Sequence, residues 1–183
     1  NTPEVEVTDR LCEAILLTMV KEGPRVIENP EHYEARANIM WAGMLAHNNV
    51  CGVGREQDWV THAIEHELSA LYDVTHGAGL AVLFPAWMKK ALPHDPKKFA
   101  TMATRIFGIE NNGDDLATGL AGIQAWRDFF TSLGMPSTLR ELGVKEEDFS
   151  YMANRLLLRP DGTCGYFISL TPDDVVEIYK SCY

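Results

Sequence analysis

The chain has 183 residues, 46% apolar and 23% charged, with a formal net charge of −10 and a pI near 5.0. That is enough apolar chain for one globular domain with a sizeable core. The acidic balance, with no basic stripe or Arg-rich arm, argues against nucleic acid as a partner and reads as a solvated acidic surface. No run reaches the roughly 18 apolar residues of a membrane span, and the start shows no charged-then-apolar secretory pattern. Four scattered cysteines, Cys12, Cys51, Cys164 and Cys182, form no C-x-x-C pair. They suggest reduced thiols and a cytoplasmic protein, not a zinc or disulfide framework. Cys12 falls on an apolar helix face and reads as a core thiol. Cys182, near the chain end, is where a thiol can be exposed.

Apolar residues recur at helical spacing over 5–20, through Val7, Leu11, Ala14 and Ile15, and Gly23-Pro24 then breaks or kinks the pattern. Asn29 before Pro30 reads as the N-cap and first position of a helix carrying Tyr33, Ala37, Met40, Trp41 and Leu45. A Gly-rich loop follows over 51–55. Asp58 is placed to cap a helix that bears His62 and His66 and runs to Tyr72. Residues 77–92 are apolar almost all round, so that helix should be central and buried, with Pro85 a point of kinking. Asp95-Pro96 opens a helix that ends at Gly108, and a turn over 111–113 leads to a long helix over 114–133. Within it, Gly119 and Gly122 read as points of close helix packing. A short helical turn over 137–143, a helix over 146–158 and a last helix opened by Thr171 and Pro172 complete the chain. No strand stands out. Gly52 and Gly54 lack the preceding strand and third glycine of a dinucleotide fingerprint. The expected fold is all-α, a bundle of about eight helices.

Three of the six histidines fall between positions 62 and 76. His62 and His66 lie one helical turn apart and share a face. The break marked by Asp73, Thr75 and Gly77 lets a helix–turn–helix bring His76 back towards them. Neutral imidazole suits zinc, iron, copper and nickel, so the group is a candidate metal or catalytic site. His32, His47 and His94 have no such spacing and read as surface or hydrogen-bonded residues. Other readings overlap. His62, Glu65 and His66 match H-x-x-E-H, the zinc-protease pattern in which the glutamate is general base. A downstream acidic ligand would be needed, and Glu141, Glu146 or Glu147 is available. Asp58, His62 and His66, at i, i+4 and i+8, would offer a carboxylate and two imidazoles, although Asp58 sits where a cap belongs. A helical domain with clustered histidines and no site is the remaining alternative. Nucleophile-elbow spacing is missing, so covalent acyl transfer has no support.

A wider pattern surrounds these histidines. Trp59, His62, the run H-E-L-S-A-L-Y over 66–72, His76-Gly77 and the run L-A-V-L-F-P over 80–85 together resemble the iron-containing alcohol dehydrogenases, in particular their NAD(P)H-dependent butanol dehydrogenase branch. The resemblance extends along the chain through Thr8-Asp9-Arg10, the run R-A-N-I-M-W over 36–41, Gln57-Asp58 and Gly134-Met135-Pro136. It implies a two-domain enzyme that interconverts small alcohols and aldehydes. Its N-terminal α/β domain would bind NAD(H) or NADP(H), and its C-terminal helical domain would hold Fe2+, with Zn2+ or another divalent ion as substitute. Residues 1–183 correspond to the helical domain alone, so the cofactor-binding domain would be this chain's partner. The resemblance further implies that His62 and His76 are metal ligands and that His66 lies by the substrate pocket as a proton relay. The remaining two ligands belong to an Asp-x-x-x-His motif upstream of the segment matching Asn1, so the isolated chain is expected to be inactive. A homodimer is compatible with the resemblance, although no surface stripe marks one.

Overall fold

The computed structural model describes residues 4–183, and among them the chain forms eight α-helices and no named strand. It divides into two compact units, Asn1–Gln57 and Asp58–Tyr183.

The first unit is a helical hairpin of α1 (Glu6–Glu28) and α2 (Tyr33–His47), followed by a 3₁₀ turn over Val50–Gly52. Of the break or kink expected at Gly23-Pro24, the break does not occur, and α1 runs on to Glu28. Pro24 removes one backbone donor, but buried Glu22 pairs with Arg25 at 2.6 Å across it and holds the last turns together. The start of α2 also moves. Asn29 accepts from the Glu31 amide as a turn residue, and the cap is His32, whose ring accepts from the Ala35 amide. The segment after α2 folds back on the first turns of α1. There Thr8 donates to the Val53 carbonyl at 2.8 Å, and Arg55 meets Asp9 at 2.6 Å. Burial, helped by the neighbouring Cys51 thiol, raises the Cys12 thiol to about 11.

The second unit contains α3 (Val60–Tyr72), α4 (His76–Ala91), α5 (Pro96–Phe107), α6 (Asp115–Ser132), α7 (Phe149–Arg155) and α8 (Pro172–Ser181). Its core joins Ile64 and Leu68 of α3, Val82 and Leu83 of α4, Phe149 and Met152 of α7, and Val175, Ile178 and Tyr179 of α8. As expected, α4 lies deep in this unit, with eight of its residues buried. Tyr179 is fully buried, and its hydroxyl donates to the Ile64 carbonyl at 2.9 Å, tying the last helix to α3. Cys182 is buried rather than exposed, because it closes this core at the end of α8; burial pushes its thiol up to about 12. Two other expectations shift. The stretch 137–143 is turns without a helix, and the helix expected over 146–158 is a 3₁₀ turn followed by the short α7. Over 137–143 a side chain and a tertiary contact take up backbone groups. The Leu139 amide bonds the Cys182 carbonyl, and Glu141 accepts from Ser137.

The glycines of α6 do what their spacing suggested. A Cβ at Gly122 would lie 2.5 Å from Cβ of Ala103, and one at Gly119 would lie 2.6 Å from a Leu92 methyl. Beside this close contact Trp126 meets Phe107 edge-on, with ring centroids 4.9 Å apart.

Two outcomes are expected. Gly122→Val should destabilise the protein by about 1–3 kcal/mol in urea unfolding, because overpacking outweighs the helix-propensity gain of at most about 1 kcal/mol. The second concerns α8, where the capping carboxylate of Asp174 is held down to about 2 from 3.8 by Lys90, then by the Thr171 hydroxyl and amide. A depressed carboxylate stabilises the fold above its unfolded value and loses that contribution as pH falls through its folded one. The urea midpoint of the wild type should therefore exceed that of Asp174→Asn at neutral pH, and the difference should close between pH 3.8 and about 2.

Candidate metal centre

Three of the histidines do converge. His62 and His66 lie on α3, whose last residue is Tyr72, and Asp73 ends the helix in the left-handed conformation, φ 54°. Aspartate tolerates this backbone better than most residues. Thr75 is extended, and α4 then starts at His76 itself. This tight corner folds the first turn of α4 against α3. Nδ1 of His62 and Nε2 of His76 face one another at 3.1 Å. Adjacent nitrogens around an octahedral or tetrahedral ion, with bonds of roughly 2.0–2.1 Å, are separated by roughly 2.8–3.4 Å. The two donors therefore fit one first-row ion, and the imidazole chemistry suits it.

The surroundings differ on each side. The His62 ring is flanked by Trp59, centroids 5.0 Å apart, and meets Phe84 edge-on at 6.1 Å. His66 is exposed, with its ring centroid 5.1 Å from that of His76. His76 keeps 43% of its side chain exposed, so this edge of the group remains accessible to small molecules.

Behind His76 lies Glu65, whose side chain is fully buried. It hydrogen-bonds Nδ1 of His76, and Ser69 Oγ lies 2.7 Å from its other oxygen. Glu65, His66 and His76 also offer one donor atom each within 4.8 Å of one another, a second set that overlaps the first on His76. Glu65 is thus an active member of the group, which its place in H-x-x-E-H only hinted at. That pattern's protease chemistry needs the glutamate to face a water beside the metal, whereas this one faces inward and is engaged by His76 and Ser69. The sequence did carry a sign of its role. Thr61, Ile64, Glu65 and Leu68 form the buried stripe of α3, and a carboxylate in such a stripe calls for a partner.

Asp58 is not the N-cap of α3, which is Trp59 with no side-chain cap bond; it serves the helix start from one residue earlier. Its Oδ1 accepts from the Val60 amide at 2.9 Å, and its Oδ2 from the amides of Tyr166 at 3.1 Å and Phe167 at 2.8 Å. It does not join the histidines as a third donor in the way the i, i+4, i+8 spacing allowed. The loop it holds is braced by Arg159, which donates to the Gly165 carbonyl at 2.6 Å. Gly165 has φ +85°, and a Cβ there would lie 2.5 Å from the Ile168 carbonyl oxygen. Phe167 then packs against Trp87, His94 and Phe99. His94 is accounted for by that contact, and His32 by its helix cap. No helix among the described residues is long and apolar enough to cross a membrane.

Comparison with known proteins bears on the same region. The C-terminal profile of the Fe-containing alcohol dehydrogenase family matches residues 1–183. NADH-dependent butanol dehydrogenase A of Clostridium acetobutylicum is 42% identical over 178 residues, which is 97% of this chain and 46% of that protein. The crystal structure of NADH-dependent butanol dehydrogenase A from Thermotoga maritima superposes with a TM-score of 0.89 at 39% identity, covering 97% of this chain and 46% of that one. The structure of Escherichia coli YqhD superposes with a TM-score of 0.93 at 33% identity, covering all of this chain and 47% of that one. The chain thus spans about half the length of the relatives it matches.

Asp58→Ala should remove both the bond to the first amide of α3 and the clamp on the loop, lowering stability by about 1–3 kcal/mol in urea unfolding. Amide exchange at Tyr166 and Phe167 should speed up in the same variant, with Asp58→Asn intermediate.

Proposed function

Since the chain belongs to the Fe-containing alcohol dehydrogenase family, as its C-terminal domain, we propose that it is the metal-holding half of an enzyme interconverting small alcohols and aldehydes with NAD(P)(H). The observation that carries this reading is the pair of imidazole nitrogens, one from each of two helices, facing one another at 3.1 Å. Relatives named as an NADH-dependent butanol dehydrogenase and an NADPH-dependent aldehyde reductase support it, since their names describe the two directions of one reaction. An alcohol and NAD(P)⁺ give an aldehyde, NAD(P)H and a proton.

When bound, a divalent ion would supply Lewis-acid polarisation of the alcohol or carbonyl oxygen, and a nicotinamide would accept or deliver the hydride. His62 and His76 are the ligands in this reading, with Fe2+ as the ion and Zn2+ a workable substitute. The Trp59 and Phe84 rings restrict the His62 imidazole. His66, exposed beside His76, is the group that takes up or returns the alcohol proton. The cofactor-binding α/β domain, which also leads into the segment supplying an Asp-x-x-x-His ligand pair, is the partner this chain requires.

Two imidazoles leave the other coordination positions to water, so the 183 residues alone should hold an ion weakly. We expect this chain, supplied with Fe2+ or Zn2+, NAD(P)⁺ and a short alcohol, to fold without turning over; dehydrogenase activity in that mixture would refute the assignment of half the ligands elsewhere. In the protein carrying both halves, His62→Ala and His76→Ala should each abolish tight metal retention and alcohol oxidation. His66→Ala should keep the metal and lower kcat by about 10²–10⁴-fold, the usual worth of a positioned acid–base group. Metal content by atomic emission and steady-state kinetics separate the two effects.

A further inference from the structure

We infer that Glu65 is the positioning residue of this metal centre: it fixes the orientation and tautomer of His76 by accepting the Nδ1 proton, leaving Nε2 as the ligand nitrogen. The inference rests on the proposed metal role of His76 and goes beyond it, because it assigns a function to a carboxylate that is not itself a ligand.

Glu65 lies in the inward stripe of α3 with Thr61, Ile64 and Leu68, and its side chain has no exposure. A carboxylate so placed is costly unless hydrogen-bonded donors replace the water it has lost. One oxygen meets Nδ1 of His76, and the other lies 2.7 Å from the Ser69 hydroxyl, whose one proton it shares with the Val74 carbonyl at 2.9 Å. The recess that receives the carboxylate exists because residue 79, on the facing turn of α4, is glycine. A Cβ there would lie 2.5 Å from Oε1 of Glu65 and 2.7 Å from its Cγ. Glu65, Ser69 and Gly79 thus form a built cradle behind a single imidazole.

The chemistry of imidazole turns that cradle into a directional device. A neutral ring carries one N–H, so a proton held on Nδ1 leaves Nε2 with its lone pair. Nε2 is the nitrogen that faces His62 at 3.1 Å. A carboxylate hydrogen-bonded to the far nitrogen of a ligand histidine fixes its orientation and raises its basicity. Glu65 acts from behind His76 and not as a ligand beside His62, since it meets Nδ1 while Nε2 is the nitrogen that faces His62.

The test uses the protein carrying both halves, with Co2+ as the spectroscopic ion and chelator competition to measure its dissociation constant. Glu65→Ala should weaken binding by about 10–100-fold and shift the Co2+ ligand-field bands, the usual consequence of losing such a partner. Glu65→Gln, whose amide oxygen still accepts from Nδ1, should recover much of the affinity. Gly79→Ala should weaken binding through displacement of the Glu65 carboxylate, although it alters no polar group. Metal-free thermal unfolding of Glu65→Gln should match wild type, separating positioning from mere structural support. His76→Ala is the control on the metal reading. If it loses tight binding while Glu65→Ala, Glu65→Gln and Gly79→Ala all bind within about twofold of wild type, the positioning role is overturned and the metal centre stands. If His76→Ala retains wild-type affinity, the metal assignment itself falls.

Discussion

A buried carboxylate must find donors, and in this protein that requirement organises the corner between α3 and α4. Glu65 points inward on α3, so the segment that follows has to return a donor to it. His76 supplies that donor from the first residue of α4, Ser69 fills the second position from within α3, and the absence of a side chain at Gly79 leaves the space. The corner is therefore determined from both ends. Asp73 in its left-handed conformation turns the chain, and the polar contacts select where α4 begins. With these in place, His76 presents its other nitrogen to His62, so a structural demand and a chemical arrangement coincide in one side chain.

The helices carrying this corner are held by a second polar junction some distance away in sequence. Asp58 accepts from the first amide of α3 and from two amides of a loop more than a hundred residues later, where Gly165 and Arg159 set the backbone. Phe167 then wedges against Trp87 of α4 and Phe99 of α5. Tyr179 of α8 bonds the Ile64 carbonyl in the middle of α3. The helix bearing His62 and His66 is thereby tied at its start and at its centre by elements from the far end of the chain. That rigidity suits a candidate site whose donor nitrogens must stay in register.

The helical content was legible because period and punctuation agree over most of the chain. Asp95, Asp114 and Thr171 stand at helix starts, and each accepts from the amide three residues on. The errors fall where local signals were overruled. Gly23-Pro24 looked like a break or a kink, but the helix runs on past it to Glu28, with Glu22 and Arg25 paired across it. Asn29-Pro30 looked like a helix start, but the asparagine used its side chain for a turn and His32 took the cap. Cys182 looked free to face solvent because it stands near the chain end, whereas the core of the second unit closes over it.

For the candidate site, the sequence by itself determined an all-helical chain, the four-residue spacing that puts His62 and His66 on one face, and the short break that lets His76 return. These follow from the helical period and from turn chemistry, both local properties. Only the tertiary structure decided that Nε2 of His76 faces His62, that Glu65 stands behind the ring as its acceptor, and that Asp58 serves the scaffold. Helical period fixes the angle between two side chains on one helix. It does not fix which face a second helix will cover, nor which of an imidazole's two nitrogens will find a partner there. Those depend on contacts between residues far apart in the chain, such as Gly79 against Glu65 and Phe167 against Asp58, which leave no periodic trace.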